Sequence, residues 1–129
     1  MHALKAASLI FLLTLGPETA TAQEIAAGER AFAKCRACHQ LGEGARNLVG
    51  PELNGLFGRK AGTVEGYSYS AANTESGIVW DEAKFAEYIQ NPRGVIPGTK
   101  MVFSGLRNAR EIADLTAYLR QFDAKGARR

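Results

Sequence analysis

Residues 40–77 carry eight glycines, at positions 42, 44, 50, 55, 58, 62, 66 and 77, together with Pro51. Neither a helical nor a strand-like apolar period runs through them. A loop of this length does not persist inside a small compact domain unless something organises it. Yet Leu53, Leu56, Phe57, Tyr67 and Tyr69 are interleaved with the glycines, and disordered tracts generally lack such side chains. The combination predicts a loop wrapped around a large apolar body that the chain itself does not supply.

The first 22 residues read as a secretory signal. Lys5 gives a weakly positive start, 6–15 form an apolar run, Gly16-Pro17 ends it, and Ala20-Thr21-Ala22 is a small-residue cleavage site. The run is about half of what a membrane-spanning helix needs. An uncleaved anchor is the alternative. The expectation is therefore a cleaved leader over 1–22, one domain over 23–129, export to the periplasm, and no stable membrane insertion. The domain keeps the net charge of +3, from 15 Lys and Arg against 12 Asp and Glu. That is far from the charge excess of a dedicated nucleic-acid binder.

Three helices stand out in the rest. One is expected over 24–34, with Ile25, Gly28 and Phe32 on one face. A second follows Trp80, capped by Asp81, with Phe85, Tyr88 and Ile89 at helical spacing, and stops before Pro92. The third runs over about 108–122, where Ile112, Leu115, Tyr118, Leu119 and Phe122 form one stripe. Asn108 and Glu111 are placed as its cap pair. No run alternates well enough for a sheet. The basic tail 125–129 lacks apolar anchors and is expected to fray.

Once the leader is gone, the domain holds one His (His39), one Met (Met101), two Cys (Cys35, Cys38) and one Trp (Trp80). A closed structural zinc site wants four Cys or His ligands, and only three are present. A disulfide between Cys35 and Cys38 would close too small a loop to stabilise much. Little chemistry is available to these side chains unassisted, so a strong function calls for a cofactor. Cys35-Arg36-Ala37-Cys38-His39 has the spacing of a c-type haem attachment motif. Each thiol can add to one vinyl group of the porphyrin, and the adjacent His39 then lies under the iron as proximal ligand. A thioredoxin-like thiol pair belongs near a strand-helix-strand pattern, which is absent.

With further motifs in order, the chain resembles a class I bacterial c-type cytochrome of the kind closest to the mitochondrial protein. They are Gly28-x-x-x-Phe32, the haem motif, Gly50-Pro51-x-Leu53-x-Gly55, Gly58-Arg59, Tyr67-Ser68-Tyr69-Ser70-x-Ala72-Asn73, Trp80, Tyr88, and Pro97-Gly98-Thr99-Lys100-Met101-x-Phe103-x-Gly105-Leu106. Asp114-Leu115 and Tyr118-Leu119 complete the set. Two departures stand out: two residues, not three, separate Phe32 from Cys35, and Ile112 lies where the family often carries Arg.

The resemblance implies an all-α fold of three main helices and long loops around one haem c, covalent through Cys35 and Cys38. It implies His39 and Met101 as iron ligands, the Pro51 carbonyl as acceptor from the second His39 nitrogen, and Arg59, Tyr69 and Trp80 around the propionates. Asn73, Tyr88 and Thr99 are implied in a hydrogen-bond network near Met101. Gly28 is expected to let the first and last helices cross closely. Lys34, Arg36, Arg93, Lys100 and Arg107 lie in segments that surround the haem edge in the family, which implies a ring for docking redox partners. The function so implied is a monomeric single-electron carrier, not an enzyme, because two protein ligands leave no iron position for a substrate. The rivals are a haem enzyme or gas-binding haem protein with an open distal site, and a haem-free thiol-disulfide module.

Overall fold

The computed structural model describes residues 1–3, 8–14 and 19–129. Lys5, Gly16-Pro17 and both ends of the expected apolar run lie outside the described residues. The elements are α1 (Ala22–Phe32), α2 (Ala71–Thr74), α3 (Glu82–Gln90), α4 (Pro92–Val95) and α5 (Ala109–Arg120). Among the described residues there is no strand, only isolated antiparallel bridges at Lys60–Val79 and Phe122–Arg128.

Helix α1 begins two residues earlier than expected and also ends two residues earlier. The cause is a capping box: Thr21 Oγ1 accepts from Glu24 N at 3.1 Å, and Glu24 Oε2 accepts from Thr21 N at 2.9 Å. Both orphan donors of the first turn are satisfied reciprocally. Past Phe32 the chain tightens into turns, with Cys35 N donating to Phe32 O at 2.8 Å. The haem motif therefore starts on a turn, one residue short of another α-helical step.

Helix α1 packs along α5, and this crossing is the main helix–helix contact. A Cβ on Gly28 would collide with the Asp114 carbonyl and the Tyr118 side chain, so only glycine permits the approach. Phe32 meets Tyr118 with ring centroids 5.7 Å apart, and Lys34 pairs with Glu111. That pairing also revises the cap of α5. Asn108 Oδ1 accepts from Glu111 N at 3.0 Å, but the Glu111 carboxylate reaches across to Lys34 instead of back to its own cap.

Helices α2 and α4 were not foreseen. Ser70 caps α2 by accepting from Asn73 N, and Asn91 ends α3 while capping α4, with Pro92 at its first turn. Both helices are a single turn long, too short to show an apolar period. The tail does not fray either. Residues 123–129 fold back as a turn with Gly126 buried, and Arg128 stacks over Phe122 at 5.1 Å. The anchor is cationic and backbone-borne, which a search for apolar side chains misses.

Candidate functional site

Helices α1, α2, α3 and α5 and the glycine-rich loop enclose a cleft of about 850 Å³, its open mouth included. Its walls are mostly apolar: Phe32 and Leu115 come from the α1–α5 crossing, Leu53 and Leu56 from the loop, Phe85 and Ile89 from α3. The loop closes at its base because Gly58 N donates to Trp80 O and Trp80 N to Arg59 O, at 2.6 and 2.9 Å. Ala61 N adds a bond to Ile78 O at 2.8 Å. This short pairing brings Arg59 and Trp80 to the same wall.

Cys35 and His39 line the cleft, and Cys38 lies half-buried beside them, not joined to Cys35. Burial pushes the Cys35 thiol up to about 11, with Cys38 adding to the rise. His39 is held by one contact: its Nδ1 lies 2.6 Å from Pro51 O. A carbonyl only accepts, so Nδ1 carries the proton and Nε2 keeps its lone pair. Burial also lowers the His39 pKa, against the effect of that hydrogen bond, which keeps the ring neutral and able to bind a metal. Gly50 packs flat against the imidazole, and a Cβ there would overlap the ring. The Gly50-Pro51 pair thus does two things: glycine makes room for the ring, and proline's carbonyl orients it.

Met101 lines the same cleft, on the loop before α5. The Tyr88 hydroxyl donates to Met101 Sδ at 3.1 Å and also meets the Thr99 side chain. Thr99 Oγ1 accepts from Met101 N at 3.3 Å. Tyr88 stacks against Trp80 with centroids 5.0 Å apart, and burial raises its pKa, so the hydroxyl stays a donor. Asn73 faces the cleft from α2, and its Oδ1 is buried with no partner among the described residues.

Arg59 Nη1 donates to Glu52 O and Asn54 O, at 3.2 and 3.1 Å, and its Glu52 carboxylate partner is 3.6 Å away. Burial pushes its pKa down from the ordinary guanidinium value. A desolvated cation of this kind favours a further anion inside the cleft. Tyr69 donates nothing inward here; its hydroxyl accepts from Val64 N at 3.0 Å, and burial raises its pKa.

Tyr67 was not singled out as a site residue. It lines the cleft, its hydroxyl donates to Val49 O at 2.6 Å, and Lys100 Nζ lies 4.5 Å above its ring. Its place among the loop's apolar residues and at the head of the Tyr67-Ser68-Tyr69 motif marked it, but neither assigned it a role. Among the described residues no three His, Cys, Asp or Glu are grouped to hold a metal.

An apolar cleft with two thiols and a neutral imidazole, a thioether hydrogen-bonded from one side, a desolvated guanidinium and an unpartnered amide oxygen suits one flat, mostly apolar group with an anionic edge. Haem has that character, so these residues define a haem-protein site. The family model for cytochrome c matches residues 25–123. Cytochrome c2 of Blastochloris viridis is 50% identical over 120 residues, covering 93% of this chain and 94% of that protein. Cytochrome c-550 of Nitrobacter winogradskyi is 56% identical over 103 residues, covering 80% and 94%. Among solved structures, cytochrome cH from Methylobacterium extorquens aligns with a TM-score of 0.70 at 44% identity, over 74% of this chain and 96% of that one. The chain belongs to the cytochrome c family. It is an electron-carrier cytochrome of the class I bacterial type, carrying one haem c covalently attached through Cys35 and Cys38.

Proposed function

We propose that the protein is a periplasmic, monomeric single-electron carrier whose haem iron is bound by His39 and Met101. The observation that carries this reading is that both side chains line one cleft with their other polar positions already engaged. His39 gives Nδ1–H to Pro51, and the Met101 sulfur accepts from Tyr88. The free Nε2 and the second sulfur lone pair are the positions left for a metal.

The iron of the bound haem supplies a one-electron change. The chain's own residues set its potential and its insulation. Pro51 raises imidazole basicity by accepting from Nδ1. A soft thioether favours the ferrous state and raises the potential. Arg59 and Trp80 offset the buried propionate charge, Tyr69 standing beside them, while the Asn73 oxygen is placed for an internal water shared with Tyr88 and Thr99. With His39 and Met101 holding the iron, the chain would leave no position there for a substrate, and the haem would exchange single electrons with redox partners docked at the cleft mouth. Lys34, Arg36, Arg93, Lys100 and Arg107 are the candidate docking cations. Among the described residues no helix is long and apolar enough to cross a membrane.

Absorption spectra of the exported protein in both redox states test the reading. The oxidised protein should show a weak far-red sulfur-to-iron charge-transfer band, and the reduced protein should not bind carbon monoxide. Carbon monoxide binding at neutral pH would instead place the protein with the open-site haem proteins.

A further inference from the structure

We propose that the C-terminal segment 123–129 is a strap that positions the loop beneath the haem, and through it the His39–Pro51 hydrogen bond. The segment is held internally by a tight turn. Asp123 Oδ1 accepts from Lys125 N and Ala127 N at 2.9 and 3.0 Å, while Asp123 N donates to Ala127 O at 3.0 Å. Arg129 N donates to Gln121 O at 2.8 Å, and the Arg128 guanidinium lies over both Phe122 and Tyr118. A loose tail would not retain these contacts together.

Its outer contacts all fall on one loop. Gly126 is buried at φ +82° with its backbone against Gly42, and a Cβ there would collide with the Gly42 carbonyl. Within the strap the Ala124 backbone packs so closely on Gly55 that a Cβ there would lie 2.9 Å away, next to the bond from Gly55 N to Phe122 O just before the strap begins. Gly42 and Asn54 are themselves joined reciprocally: Gly42 N donates to Asn54 Oδ1 at 2.8 Å, and Asn54 Nδ2 to Gly42 O at 2.9 Å. Asn54 is buried, so these bonds are shielded from water. The strap therefore grips the loop at residues 42 and 55, and Pro51 lies between the two grips. From the cleft side Arg59 holds the Glu52 and Asn54 carbonyls. Pro51 O is thus fixed from both faces, and the strap supplies the outer one.

The consequence is electronic as well as mechanical. A looser loop lengthens the contact from His39 Nδ1 to Pro51 O. The imidazole then becomes a poorer donor, the ferric state loses stabilisation, and the potential rises. This rests on His39 as proximal ligand; that reading fails on the wild-type spectrum, whereas the strap fails with that spectrum intact.

The test uses holoprotein. In Gly126→Ala, the His39 Nδ1 proton should exchange with solvent about five- to tenfold faster, the effect of losing roughly one net hydrogen bond, and the reduction potential should rise. Deletion of residues 124–129, which removes the contact without crowding it, should do the same and carries the test if Gly126→Ala does not accumulate. Asn108→Ala, which weakens α5 at its cap, is the control and should lower the melting temperature while leaving both readouts unchanged. Unchanged exchange and potential in the deletion variant would overturn the proposal, as would equal shifts in Asn108→Ala.

Discussion

The Tyr88 hydroxyl donates to the Met101 thioether across 3.1 Å, joining α3 to the loop that precedes α5. Sulfur is a weak acceptor, so the bond matters less for stability than for the electron density left on the thioether. A donor on one lone pair makes the other a poorer ligand to ferric iron. Tyr88→Phe should therefore lower the reduction potential. A neutral hydrogen bond contributes about 1 kcal/mol, which for a one-electron couple is about 40 mV. Voltammetry of the two proteins measures it, and an unchanged or raised potential would show that Tyr88 only packs against Trp80.

Met101→Ala should leave the haem attached, because attachment depends on Cys35 and Cys38. It should lower the potential, open the sixth position and let the reduced protein bind carbon monoxide. The far-red band should vanish at neutral pH, and its persistence would sink the assignment, since no second methionine lies in 23–129. Lys100, one residue away, is a competing ligand only at high pH.

Without haem the cleft walls have nothing to pack on, and three short helices make a marginal core. A Cys35→Ala, Cys38→Ala double variant produced without haem should be largely disordered by far-ultraviolet circular dichroism. A cooperative, native-like melt of that apoprotein would refute the idea that haem completes the core.

The cations proposed for docking divide into two groups. Lys34 pairs with Glu111, Arg36 lies 3.8 Å from Glu29, and Lys100 donates to the Ser68 carbonyl. Arg93 and Arg107 are exposed and make no ion pair among the described residues. These two should steer encounter most strongly. Electron transfer to an acidic partner should slow as salt rises, since screening shortens to about 10 Å at 0.1 M. Reversing Arg93 and Arg107 to Glu should flatten that dependence, whereas reversing Lys125 and Arg129 in the strap should do little. Equal effects from both pairs would mean that net charge alone governs the rate.

If the proposed leader is removed at Ala22, Thr21, the cap of α1, goes with it. A holoprotein beginning at Gln23 should therefore be less stable than one beginning at Ala20 by about 1 kcal/mol, the usual effect of losing such a cap. Thermal unfolding of the two chains decides it, and equal melting temperatures would show that the capping box contributes nothing to the docked helix.

Sequence by itself determined the haem attachment motif, the three longer helices and the single available methionine, because each depends on residues close together in the chain. Cys35, Cys38 and His39 fall within five consecutive residues, and the α5 stripe is a local period. It also placed Gly28 correctly at a crossing, since a mid-helix glycine costs about 1 kcal/mol against alanine and so invites a packing reason. Tertiary structure alone decided the rest. That Gly50 must be bare to admit the His39 ring, that Lys100 covers Tyr67, and that Gly126 meets Gly42 are contacts between distant segments with no periodic trace. The strap shows the reason most clearly. It is held by backbone hydrogen bonds and a stacked guanidinium, groups that look in sequence like an ordinary basic terminus, and only the fold of residues 42–55 gives them something to hold.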